Sequence, residues 1–213
     1  MKLSEQTIAI FKHYSQINPG IQVRPGNSLV TVSPAKTIFA KAVVPDEFEQ
    51  EFTIYNLPRF LGTLSLFSDP NLDFKENYVV ISSGKQRVTY AYADPSMIVQ
   101  APQKEIKFPE SIVTFNLKNE DLQQILKAGA VLGSQEVAIS GDGEVINISA
   151  VNAKNSSDTF SIEVGSTDKQ FKTIFPAQNL KLLPKDYEVS LTAHGISRFV
   201  NDDITFWVAA DAK

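Results

Sequence analysis

A chain of 213 residues, 43% hydrophobic and 21% charged, is long enough for two cores of about 100 residues each, and its apolar runs fall far short of the ~18 residues that cross a bilayer, so no membrane segment is expected. A net charge of −4 and a pI near 5.3 argue against an open nucleic-acid-binding surface, which needs a basic excess to neutralise phosphates; they leave room for basic residues gathered on one face. The absence of cysteine excludes disulfides and thiolate metal sites and suits a reducing cytosol. Residues 1–17 carry polar and acidic side chains throughout and do not read as a secretion signal. The Asn-x-Ser matches at Asn147 and Asn155 therefore read as chance.

Ser4 is placed to cap a helix running to Ile17, with Thr7, Ile10, Phe11, Tyr14 and Ile17 on one stripe and Glu5, Ala9, Lys12 and Gln16 on the other. Asn18-Pro19-Gly20 stops it. Alternating segments at Ile21–Arg24, Ser28–Ser33 and Lys36–Val43, with Pro25-Gly26-Asn27 and Ser33-Pro34 as turns, predict antiparallel strands, and a strand and short helix follow Pro45-Asp46. Within Glu51–Asp69, the strand-like Thr53-Ile54-Tyr55 runs into Asn56, a good N-cap, and Pro58, which suits a first helical turn. Leu57, Phe60, Leu61 and Leu64 fall on one side of this short helix and Arg59 on the other. Strands at Tyr78–Ser82 and Arg87–Ala93 follow, joined at Ser83-Gly84-Lys85. From Asp94 to Pro109 the periodicity lapses across three prolines, which marks an extended connector. The expected organisation is a domain over 1–94, a connector over 95–109 and a second domain over 110–213.

Ile112–Leu117 then alternates as a strand, and Asn119 is placed to cap a long helix to Gly133. Its expected buried stripe is Leu122, Ile125, Leu126, Gly129 and Leu132, with Lys127 facing away. Strands are expected at Glu136–Ser140, Glu144–Val151, Thr159–Gly165, Tyr187–Ala193 and Ile204–Ala210, with a turn at Gly141-Asp142-Gly143. The second half rhymes with the first. The helix beginning at Ser4 overlays that beginning at Asn119 at an offset of 115, Thr53-Ile54-Tyr55 overlays Thr173-Ile174-Phe175 at 120, and Tyr90–Asp94 overlays Trp207–Asp211 at 117. Leu180 stands where Phe60 stood, in a second short helix after Pro176, with Lys181 among its outward residues. Three ordered matches at nearly one spacing predict a duplicated domain.

An enzyme reading has little support. His13 and His194 are the only histidines, and neither stands in a metal or triad spacing. His13 flanks the polar side of the first helix and reads as a solvated or interface residue; His194 precedes Gly195 at a turn. The acids Asp202-Asp203 and the Asp142-Gly143-Glu144 group fall in turns, where such residues bond locally. More informative is that each of the four expected helices carries an outward basic residue: Lys12, Arg59, Lys127 and Lys181. Singly these are ordinary solvated cations. Together, in equivalent places of duplicated domains, they can form one basic surface on an acidic protein.

Several stretches resemble the DNA sliding clamps, or polymerase processivity factors, of the T-even-type bacteriophages: Met1-Lys2-Leu3-Ser4, Ile54-Tyr55-Asn56-Leu57, Phe60-Leu61-Gly62, Leu64-Ser65-Leu66, Ala93-Asp94-Pro95-Ser96, Phe108-Pro109, and Glu120-Asp121-Leu122-Gln123-Gln124 with Leu126. They are spread over both halves of the chain. The resemblance implies an α+β clamp fold: two similar domains, antiparallel sheets outside, and two helices per domain facing the central hole of a homotrimeric ring. It implies double-stranded DNA bound without sequence specificity, with Lys12, His13, Arg59, Lys127 and Lys181 facing it. The implied partners are the replicative DNA polymerase, an ATP-driven clamp loader and, in this group, late-transcription factors. A partner-binding groove beside the connector would use Met97, Ile98, Val99 and Pro102. No cofactor, metal or catalytic activity is implied, and the expected location is the host cell cytoplasm. The alternative is a ring- or shell-forming structural scaffold with no DNA role.

Overall fold

The computed structural model describes residues 1–104, 106–152 and 158–211; Asn155 lies outside them. The chain divides into two compact units, Met1–Glu105 and Ile106–Lys213. Unit 1 contains α1 (Glu5–Ile17), β1 (Ile21–Val23), β2 (Gly26–Val32), β3 (Ile38–Phe48), β4 (Phe52–Ile54), α2 (Leu57–Leu64), β5 (Asn71–Phe74), β6 (Tyr78–Ser83), β7 (Gln86–Ala91) and a 3-10 turn, Pro95–Met97. Unit 2 contains β8 (Ser111–Leu117), α3 (Asn119–Leu132), β9 (Glu136–Asp142), β10 (Val145–Val151), β11 (Phe160–Ser166), β12 (Gln170–Pro176), a 3-10 turn at Ala177–Leu180, β13 (Tyr187–Thr192), β14 (Ile196–Val200) and β15 (Ile204–Ala209).

All described pairings are antiparallel. In unit 2, β9 pairs with both β10 and β12, β10 also pairs with β11, and β13 pairs with β8 and β14, which carries β15. Unit 1 repeats this plan: β1 pairs with β4, β2 with β3, and β6 with β5 and β7. Even the first strand of unit 2 has a counterpart, because the Met1 ammonium donates to the Leu72 carbonyl and the Leu72 amide donates back to Met1. The two halves are therefore one topology written twice.

Local chemistry explains the first helix. Ser4 Oγ accepts from the Thr7 amide at 3.1 Å, while its own amide and hydroxyl donate to Asp46 Oδ2 at 2.8 and 2.7 Å. Asp46 does this from inside β3, which runs past the expected end at Val43, through Pro45, to Phe48. Pro45 is exposed, and a bulge between Gly26 and Ser28 absorbs the slip in register. At the other end of that hairpin Lys36 takes a positive φ of 57° in the turn, so the strand starts at Ile38. Unit 1 buries Ile10, Phe11 and Tyr14 against the β2–β3 hairpin, with the Tyr14 hydroxyl donating to the Leu29 carbonyl at 3.1 Å.

Two groups at this helix make the fold acid-sensitive. Burial lowers the pKa of His13 to about 4. Burial alone would raise that of Asp46, but hydrogen bonds from Thr7 and from the Ser4 amide and hydroxyl outweigh it and hold the carboxyl below its usual range. The unfolded chain binds a proton on His13 below about pH 6.5 that the folded chain refuses until about 4, so stability present at neutral pH is lost as pH falls through that window. Asp46 adds a loss of the same sign further down. Urea denaturation at pH 7 and pH 4.5 should differ by about 2 kcal/mol from His13, and His13→Gln should remove that difference; an unchanged pH dependence would contradict the assignment.

Candidate DNA-facing surface and connector

The short helix α2 begins as its sequence demands. Asn56 Oδ1 accepts from the Arg59 amide at 2.8 Å, Pro58 occupies the first turn, and Leu57, Phe60 and Leu64 are buried. That leaves Arg59 exposed. Helices α1 and α2 pack together, and the Leu57 amide donates to the Pro19 carbonyl at 2.6 Å. Lys12 and Arg59 thus sit exposed on neighbouring helices of unit 1. His13 does not join them. It lies one turn after Ile10, on the edge of the buried stripe, and is only 7% exposed. A buried imidazole with a pKa near 4 is uncharged at neutral pH, so His13 belongs to the core.

In unit 2, α3 buries Leu122, Ile125 and Gly129 and leaves Lys127 exposed. Asn119 is its first residue rather than its cap; the Asn119 amide is satisfied by Asp186 Oδ1 at 2.7 Å from across the unit. Gly129 faces β10, where a Cβ would meet that of Ala150 in ordinary contact at 3.6 Å. The expected stripe stops at that point. Leu126 is half-buried, Leu132 is 40% exposed and Val131 79% exposed, because Gly133 ends the helix with a left-handed φ of 70°.

The second short helix is a single 3-10 turn. Leu180 is buried as Phe60 is, but the chain then tightens, with Leu182 and Lys185 donating to carbonyls two residues back and Pro184 disfavouring helix before it. Lys181 is exposed just beyond the turn. Beside this turn lies an open cavity of about 570 Å³ lined by Leu126, Ala130, Pro176, Ala177 and Lys181 among others. Among the described residues, none of Lys12, Arg59, Lys127 and Lys181 forms an ion pair; the pairs present are Lys2–Asp69, Lys75–Asp73, Lys118–Glu120 and Lys185–Asp203.

Of the acids that fall in turns, Asp142 and Asp203 have local roles. Asp142 Oδ1 accepts from the amides of Glu144 and Val145, both at 2.9 Å, and these bonds hold its carboxyl below the usual range. Asp203 pairs with Lys185. His194 is exposed in the turn whose Gly195 has a φ of 73°. No group of three or more His, Cys, Asp or Glu suited to a metal ion occurs among the described residues.

The connector starts with an Asp94 cap on Ser96, whose amide and hydroxyl donate to Asp94 Oδ1 at 2.8 and 2.6 Å. Met97 is 58% and Val99 37% exposed, and Pro102 is exposed. Ile98 differs: it packs onto Gly20, where a Cβ would lie 2.5 Å from its Cγ2. Of the four expected groove residues, Ile98 is therefore an anchor. The residues that hold this segment, Gly20 at Ile98, Asn18 at the Val99 carbonyl and Arg24 at the Ala101 carbonyl, read in the sequence only as a helix stop and a strand end.

Both halves match known sequences. Residues 2–100 match the family described as DNA polymerase processivity factor, and residues 114–212 that described as gp45 sliding clamp, C terminal. This chain belongs to the phage sliding-clamp family. The clamp is 35% identical over 221 residues to the sliding clamp of Vibrio phage KVP40, covering all of both chains, and 30% identical over 223 residues to that of Enterobacteria phage T4, covering all of this chain and 97% of the other. Its fold is shared more widely. The PCNA of A. fulgidus, solved with the C-terminal region of FEN-1, superposes with a TM-score of 0.73 at 14% identity, covering 100% of this clamp and 97% of that chain.

Proposed function

We propose that three copies of this clamp close head to tail around duplex DNA, so that Lys12, Arg59, Lys127 and Lys181 face the phosphates and the ring tethers a replicative polymerase. The observation that carries this reading is the repeated topology, with exposed cations, unpaired among the described residues, on corresponding elements of both units. A clamp must pass every sequence, so phosphate contacts from long side chains suit it and base readout would not. Three chains at −4 each carry −12, which disfavours DNA at the outer rim and leaves a basic lumen as the favourable place.

A head-to-tail ring needs two unlike surfaces that fit each other. Strands β7 and β11 each end a sheet, and exposed Arg87 on one and Glu163 on the other carry opposite charges; they are the proposed edges of the subunit boundary. Opening such a boundary is the task of an ATP-driven loader. The proposed partner site is the exposed face of the connector, at Met97, Val99 and Pro102, where a polymerase tail, and in late transcription a transcription factor, docks in turn. The A. fulgidus PCNA, which shares the fold, was solved with the C-terminal region of FEN-1 bound, a partner of the tail type proposed here. The setting is the cytoplasm of the infected host.

Sedimentation equilibrium tests the ring. A closed trimer of 23.5 kDa chains weighs 70.5 kDa, and a reversible rise from monomer to that mass is expected, with retention on circular but not linear DNA after loading. A monomer at every concentration would sink the self-assembled ring. A trimer that no loader can place on DNA would favour the scaffold instead.

A further inference from the structure

The connector is already held in the free chain, and by side chains outside it. Asn18, 4% exposed at the end of α1, uses its whole amide. Nδ2 donates to the carbonyls of Val32 at 3.0 Å and Val99 at 2.9 Å, and Oδ1 accepts from the Gly20 amide at 3.0 Å. The bond to Val32 fixes the amide against β2, so Val99 must come to where the second N–H points. Gly20 offers Ile98 bare backbone, and a Cβ there would also lie 3.4 Å from the Ile54 carbonyl, leaving it no room to retreat. Arg24 donates to the Ala101 carbonyl at 3.4 Å, and Ala101 is buried. Residues 98–101 are thus strapped to unit 1, with Ile98 turned inward and Met97 and Val99 turned out.

We propose that Asn18 and Gly20 are positioning residues for partner docking: they hold the connector in the arrangement that offers Met97 and Val99 to the apolar side chains of an extended peptide. This rests on the docking site given under Proposed function. A ledge ordered beforehand spares the incoming peptide the cost of ordering it, so loosening the ledge lowers affinity without removing a single peptide contact. Asn18→Asp keeps the acceptor for Gly20 but sets a carboxylate against two carbonyl oxygens. Gly20→Ala places its Cβ into Ile98.

The chain has no cysteine, so a spin label at Gln103→Cys, an exposed position, reports connector mobility with no peptide present. Affinity is read by anisotropy, with a fluorescent synthetic peptide of the C-terminal segment of the cognate polymerase. Both Asn18→Asp and Gly20→Ala should mobilise the label and weaken the peptide at least about tenfold, at unchanged sedimentation mass. Adding Ile98→Ala to Gly20→Ala removes the closest clash and should recover part of the affinity, which a general loss of stability would not allow. Met97→Asp should abolish peptide binding and leave the label rigid. If Met97→Asp binds as the wild type does, the docking site is elsewhere and the proposal falls with it. If Met97→Asp abolishes binding while Asn18→Asp and Gly20→Ala stay within about twofold, docking stands and positioning by these residues is overturned.

Discussion

Reversing Lys12, Arg59, Lys127 and Lys181 to glutamate should reduce loader-dependent processive synthesis by at least about tenfold at moderate salt. All four side chains are exposed and unpaired among the described residues, so each change should cost the fold no more than about 0.5 kcal/mol. The sedimentation mass and denaturation midpoint are the controls. Counterion release makes the attraction salt-dependent, so the wild type should lose activity with rising salt more steeply than a variant with the four residues changed to alanine. Full processivity in the glutamate variant would remove these residues from the DNA path and favour a scaffold.

Phe52→Ala should destabilise unit 1 by about 3–5 kcal/mol, the range for deleting a fully enclosed ring. Phe52 is 4% exposed and joins three other rings, with centroids 4.9 Å from Phe74, 5.4 Å from Tyr92 and 5.7 Å from Phe48. The cluster ties β3, β4 and β5 to the end of the β6–β7 hairpin. Hydrogen exchange should show the loss in unit 1 peptides, while peptides from the Phe175–Phe199–Tyr187 cluster of unit 2 keep their protection. A loss under about 1 kcal/mol would mean that neighbouring rings refill the site.

Elements specified by local chemistry were legible in the sequence. Ser4 and Asn56 cap where their side chains permit, and the Thr53-Ile54 and Thr173-Ile174 rhyme marks β4 and β12, which pair with β1 and β9 in the same way. Elements specified by partners were not. The four-residue β5 and the strand Ile196–Val200 exist because β6, β13 and β15 pair with them. Asn119 looked like a cap because Asp186 is distant in sequence, and His13 looked outward because a single residue, about 100° around the helix, separates it from the exposed Lys12. The exposure of Lys12, Arg59 and Lys127 could be read from periodicity, whereas the setting of Ile98 depends on contacts distant in sequence, such as its packing on Gly20 and the bond from Asn18 to the Val99 carbonyl 81 residues away.

The shortening of the element after Pro176 bears on how such a ring would move. Four matched helices in each subunit would give a three-copy lumen six nearly equal steps around its axis. With one of every four reduced to a 3-10 turn, the corrugation repeats only three times per revolution, as full rungs alternate with shallow ones. A right-handed duplex of about ten base pairs per turn has no threefold symmetry to match it. No single rotational setting would then be much deeper than its neighbours, and the duplex would turn and advance through the ring over a nearly level landscape.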